Sequence, residues 1–91
     1  MTQTQTKFEW EKAAFTKYEL MIRKIPLFHR EIAKQVVDKK AEINARERGS
    51  SMVEEPDIVR AFFSEVPQTF YSLMVRLFDE VGFNYQGHDP K

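Results

Sequence analysis

The chain has 91 residues, enough for a single domain, with 42% hydrophobic and 13% aromatic side chains, so it is too apolar for an intrinsically disordered segment. It carries no cysteine, which excludes disulfides, zinc–thiolate sites and Cys-ligated clusters within the chain. Net charge is zero but divided: residues 1–48 hold 11 basic against 7 acidic side chains, and residues 49–91 hold 3 against 7, an asymmetry that steers a partner or holds the two halves together. With only 3 Gly, 4 Pro and few β-branched runs, the composition favours long helices over a sheet. No apolar run approaches the ~18 residues of a membrane span, and residues 1–6 lack the apolar core of a secretory signal, so the expected location is cytoplasmic with no membrane contact.

Residues 1–6 read as a flexible polar lead-in, and residues 7–83 as one all-α domain of about four helices with a short extended connector. Thr6, with Glu9 three residues on, has the spacing of a capping box. Trp10, Ala14, Tyr18, Met21 and Ile25 then recur at helical steps, with Phe8, Phe15 and Ile22 as a second line. Trp10 and Ile25 are expected in the core. Pro26 interrupts and begins a long second helix through Arg48, which Gly49 stops in a left-handed conformation. On that helix Phe28, Ile32, Val36, Lys39 and Ile43 mark one line, flanked by Ala33, Val37 and Ala41.

Met52 and Val53 fit a short extended piece that tucks inward before Pro56 restarts a helix with Asp57 in its first turn. Ile58, Val59, Phe62, Phe63 and Val66 face inward there. Pro67 breaks that helix, Thr69 is placed to cap, and a fourth helix over residues 68–81 ends at Gly82. Residues 84–91 read as a C-terminal tail.

An ordered set of residues resembles a known family. Trp10, Ala13 and Ala14, the run from Met21 to Gly49 with Ile25-Pro26, Phe28 and the Ala-Arg-Glu-Arg-Gly end at Ala45 to Gly49, then Val53, Asp57-Ile58 and Ala61, are similar to the small C-terminal helical domain of the B subunit of light-independent protochlorophyllide reductase. The likeness covers residues 10–61. His29 replaces an aliphatic residue and Glu54 a threonine of the family pattern. The resemblance implies an accessory domain at the edge of a redox complex, here without the nitrogenase-like domains that carry the reductase's catalysis.

Candidate chemistry is sparse. His29 has Ala33, not a second ligand, four residues on; His29 and Arg30 are carried as a candidate ligand or polar site. Asp38 and Glu42 are i,i+4 carboxylates that suit a divalent ion or acid–base work, but Lys34 and Arg46 extend the row into the alternation of a solvated, salt-bridged face. Arg30, Lys34, Lys39, Lys40, Arg46 and Arg48 give the long helix a basic character, interrupted by Asp38, Glu42 and Glu47, which disfavours a nucleic-acid face.

The second half is rich in aromatic residues. Neighbours on a helix point ~100° apart, so the pairs Phe62-Phe63 and Phe70-Tyr71 are not expected to share one core face. Phe63 and Tyr71 are the members expected outside. Phe62, Phe63, Phe70, Tyr71, Phe83 and Tyr85 are accordingly assigned to an interface, ringed by Glu54, Glu55, Asp57, Glu65, Asp79 and Glu80.

The expected function is a non-catalytic module that needs no cofactor or metal and docks on a partner protein or redox complex, with homo-oligomerisation left open. A small nucleic-acid-binding module and a carrier of an apolar or tetrapyrrole ligand are the competing readings.

Overall fold

The computed structural model describes residues 9–88, and the expected Thr6 cap, Phe8 and the end of the tail lie outside them. Four helices, α1 (Lys12–Lys24), α2 (Leu27–Glu47), α3 (Glu55–Glu65) and α4 (Tyr71–Val81), account for most of these residues. A 3-10 turn, Gln68–Phe70, leads into α4, and two short strands, β1 (Glu9–Trp10) and β2 (Met52–Val53), pair in parallel.

Residues 9 and 10, expected within the first helix, are therefore a strand. Glu9 pairs with Met52 and Trp10 with Val53, and the Glu11 N–H donates to the Val53 carbonyl at 2.8 Å. These bonds, with Trp10 stacked on Tyr18 at 5.2 Å and edge-on to Phe15 at 5.7 Å, hold residues 9–10 extended. The helix begins one turn later, where the Glu11 carboxylate caps it by accepting from the Ala14 N–H at 2.9 Å. Trp10 and Ile25 are half-buried and pack against the core; Ala14, Tyr18, Met21 and Ile22 are inside it.

Pro26 sits at the cap of α2, one place earlier than the first helical position expected for it, with Ile25 extended before it. The turn is secured by Arg30. Its guanidinium donates to the Arg23 carbonyl at 2.8 Å and to the Ile25 carbonyl at 3.0 Å, closing the C-terminus of α1. At the far end of α2 the Gly49 N–H donates to Arg46 and the Ser50 N–H to Ala45, both at 2.9 Å, with Gly49 at φ 79°. This is the Schellman stop that the sequence requires of a glycine.

Helices α2 and α3 form the tightest pair. Val37, Ala41 and Ala45 on α2 and Ile58, Ala61 and Phe62 on α3 are buried, and the small residues let the backbones approach. The start of α3 is fixed by Asp57, whose side chain is fully buried. Arg48 meets it with two hydrogen bonds at 2.9 and 2.7 Å, and the Glu54 N–H adds a third at 2.9 Å. That partnership holds the Arg48 guanidinium above its ordinary pKa. Buried Asn44 donates to the Asp57 carbonyl at 3.0 Å.

Helix α4 packs against α1 and meets α3 through aromatic rings, centring an aromatic cluster. The Phe78 ring lies 5.6–5.7 Å from those of Phe62, Phe63, Phe83 and Tyr85. Lys17 ties the ends together, donating to Glu55 at 2.7 Å and to the Gly82 carbonyl at 3.0 Å.

A β-carbon at Gly49 would meet no atom within 4 Å, so the cost of replacing it is the backbone conformation alone. Gly49→Val is expected to cost about 1–2 kcal/mol, lowering Tm by roughly 5–15 °C, while Gly49→Asn retains most of the stability. Thermal unfolding followed by circular dichroism checks both.

Candidate functional site

Six side chains of the second half were expected to form an interface, and the fold buries half of them. Phe62, Phe63 and Phe83 are only 1%, 4% and 3% exposed. The 100° argument fails for Phe62-Phe63 because α3 is covered on more than one side. Phe62 meets Tyr18 of α1 and Phe78 of α4, while Phe63 meets Tyr71 and Phe78. The second pair does split, in the opposite sense to the one expected. Tyr71 turns inward and its hydroxyl donates to the Phe63 carbonyl at 2.5 Å, whereas Phe70 is 53% exposed. Tyr85 is half-buried, stacked on Phe78.

Four of the six acidic residues expected to ring that interface are likewise committed within the fold. Asp57 is enclosed by Arg48, Glu55 binds Lys17 and the Asn84 N–H, Glu54 lies 3.4 Å from Arg48 and Glu80 lies 3.2 Å from Lys24.

The exposed apolar surface lies on α2 instead. Leu27, Phe28 and Ile32 are 74%, 80% and 67% exposed, with Val36 exposed one turn further on. The line Phe28–Ile32–Val36, one of the apolar lines marked by the spacing, points outward. The line flanking it, Val37 with Ala41 and Ala45, turns inward. At ~100° per residue, Ile32 lies on nearly the opposite side of the helix from Ala41, so α2 carries two apolar faces and the fold covers one.

Beside this ridge runs a groove of about 380 Å³ between α2 and α4. Its floor includes Met21 and Ile25 of α1, and its far wall includes Val66, Phe70, Leu73 and Met74. Phe70 and Leu73 are themselves exposed, extending the apolar surface across the groove. His29 and Glu65 are the only ionisable side chains among the lining residues. Ridge and groove together form one continuous apolar face, larger than scattered surface residues explain.

The polar candidates fare differently. Arg30 is spent on the carbonyls of Arg23 and Ile25, which removes it from a ligand role and makes it the clamp of the α1–α2 corner. His29 is exposed at the groove rim, its ring edge-on to Phe28 at 4.5 Å. Asp38 accepts a short hydrogen bond from the buried Tyr18 hydroxyl and pairs with Lys34 at 3.1 Å, so it serves the α1–α2 contact. No group of three or more His, Cys, Asp or Glu is placed to hold a metal among the described residues. No helix among them is long and apolar enough to cross a membrane.

No family model, curated protein or solved structure matches the chain. The likeness to the reductase domain therefore stands on the residues named for it alone.

Burial of the phenol, reinforced by Asp38 as hydrogen-bond acceptor and negative neighbour, pushes the Tyr18 pKa well above its ordinary value near 10. The proton is thus held more tightly in the folded state. Its contribution to stability is complete below about pH 10 and is lost as pH rises beyond that toward the folded value. In an alkaline titration followed by phenolate absorbance, Tyr18 is expected to ionise only together with unfolding, and Tyr18→Phe to remove that late step.

Proposed function

We propose that the chain is a non-catalytic docking module that binds a partner protein through the apolar face of α2 and the adjoining Phe70–Leu73 corner. The observation that carries this reading is the Phe28–Ile32–Val36 ridge, whose first two side chains are among the most exposed large hydrophobics of the fold. Burying apolar surface is worth about 25 cal/mol per Å², so a face of this kind gains only when something covers it. The resemblance to an accessory domain at the edge of a redox complex supports the same reading and suggests the kind of assembly.

The competing readings have less behind them. At least three of the basic residues on α2 and its C-cap are committed to structural contacts: Arg30 to carbonyls, Lys34 to Asp38 and Arg48 to Asp57. That reduces the cationic surface that a nucleic acid would need. The groove has the size and lining of a site for a small apolar ligand. The ridge beside it, however, is convex and exposed, which suits a protein surface better.

Cross-linking in the native cell tests the proposal. The wild-type chain is expected to recover a specific protein. Ile32→Glu is expected to lose at least nine-tenths of that recovery, with its helical circular dichroism unchanged because Ile32 is 67% exposed. Undiminished recovery by Ile32→Glu would rule the face out as the docking surface.

A further inference from the structure

The exposed ridge has an internal symmetry that points to a particular occupant. Phe28 lies four residues before Ile32 and Val36 four residues after it, so the two flank Ile32 at about 6 Å along the helix axis in either direction. Their sizes run from largest to smallest. Two such ridges laid antiparallel, with a twofold axis through Ile32, set Phe28 of each against Val36 of the other and Ile32 against Ile32. A large side chain then faces a small one at both ends and two equal ones meet in the middle, so each level holds a similar volume. A parallel pairing would set Phe28 against Phe28 and Val36 against Val36, overfilling one end and leaving the other empty.

We propose that the occupant of this face is a second copy of the same chain, docked antiparallel through Phe28, Ile32 and Val36. The inference rests on the docking reading given above and names its partner. The arrangement is isologous, the commonest symmetry of soluble oligomers, and makes each contact twice.

The groove supports it. Val36 lines the groove together with Phe70 and Leu73, so the Phe28 ring of one copy, arriving opposite Val36 of the other, enters the groove at an apolar wall. A ridge of residues four apart packs on its like in steeply crossed helices, a contact confined to a few turns, and this ridge spans just over two turns.

The area is also of the right order. Leu27, Phe28, Ile32, Val36, Phe70 and Leu73 each offer on the order of 100 Å² of exposed surface. Together they offer about 600 Å² per partner, below the ~800 Å² of a standard interface and in the range of a weak dimer that forms only at high concentration.

Sedimentation equilibrium over a concentration series reaching on the order of 1 mM tests this, because even small interfaces populate the dimer there. The wild-type chain is expected to move from 10.8 kDa toward twice that mass. Ile32→Glu, which sets two carboxylates face to face on the axis, is expected to raise the dissociation constant at least 100-fold.

The register is tested by a swap. Phe28→Val alone leaves both ends underfilled and Val36→Phe alone overfills them, so each is expected to weaken the dimer tenfold or more. The double variant restores one Phe and one Val at each end and is expected to return within about threefold of wild type. A monomeric wild type throughout the series, or a double variant as weak as the singles, would overturn the proposal. If the wild type is monomeric while Ile32→Glu still strips a protein recovered from the native cell, the self-pairing falls and the docking reading stands. If Ile32→Glu changes neither, both fall.

Discussion

The path of the chain depends on one buried carboxylate. Asp57 has no exposed surface, and a charge so placed is tolerable only when its oxygens are satisfied. Arg48 supplies two hydrogen bonds from the end of α2 and Glu54 a third from the start of α3. The turn between the two helices is thereby set, with Gly49 giving the backbone its left-handed step and Asn44 binding the same turn from below. The connector is held so that β2 offers its edge to residues 9 and 10, which fixes where α1 begins. Loss of Arg48 would leave the carboxylate buried and underpaired, a more serious matter than loss of a surface ion pair.

From that turn onward α3 becomes the central helix. Six of its eleven residues are buried, including Phe62 and Phe63 side by side. A helix can bury adjacent aromatics only when neighbours cover it over a wide arc, and here α1, α2 and α4 all contribute. The consequence for α2 is asymmetric. It gives α3 a face of small side chains and Val37, and among the described residues the bulkier face is left outward and uncovered.

Much of the fold was legible in the sequence because local signals agreed with tertiary demands. Pro26, Gly49, Pro56 and Gly82 stand within a residue or two of the helix ends, where the backbone chemistry of proline and glycine needs them. The extended Met52–Val53 connector was visible in its apolar pair between helices. The start of α1 was not, because the strand pairing of residues 9 and 10 is a long-range event with residues 52 and 53 that no local pattern reports. The burial of Phe62, Phe63 and Phe83 and the exposed face of α2 were not legible, for a related reason. Helical periodicity gives apolar lines but no sign of which line faces the core. The packing partner decides, and α3 selects Ala41 and Ala45 because small residues allow close approach. Nothing local reveals that Arg30 is a carbonyl clamp, since its acceptors lie across the Pro26 corner.

The account turns on the outward face of α2 being a surface that binds and not a leftover of packing. Backbone amide shifts recorded by NMR over a dilution series report this residue by residue. Residues 27–36, 70 and 73 are predicted to shift with concentration along one common curve, while Phe62, Phe63 and Phe83 stay fixed inside the core. Concentration-dependent shifts centred instead on α3 and the tail, with residues 27–36 unmoved, would contradict it.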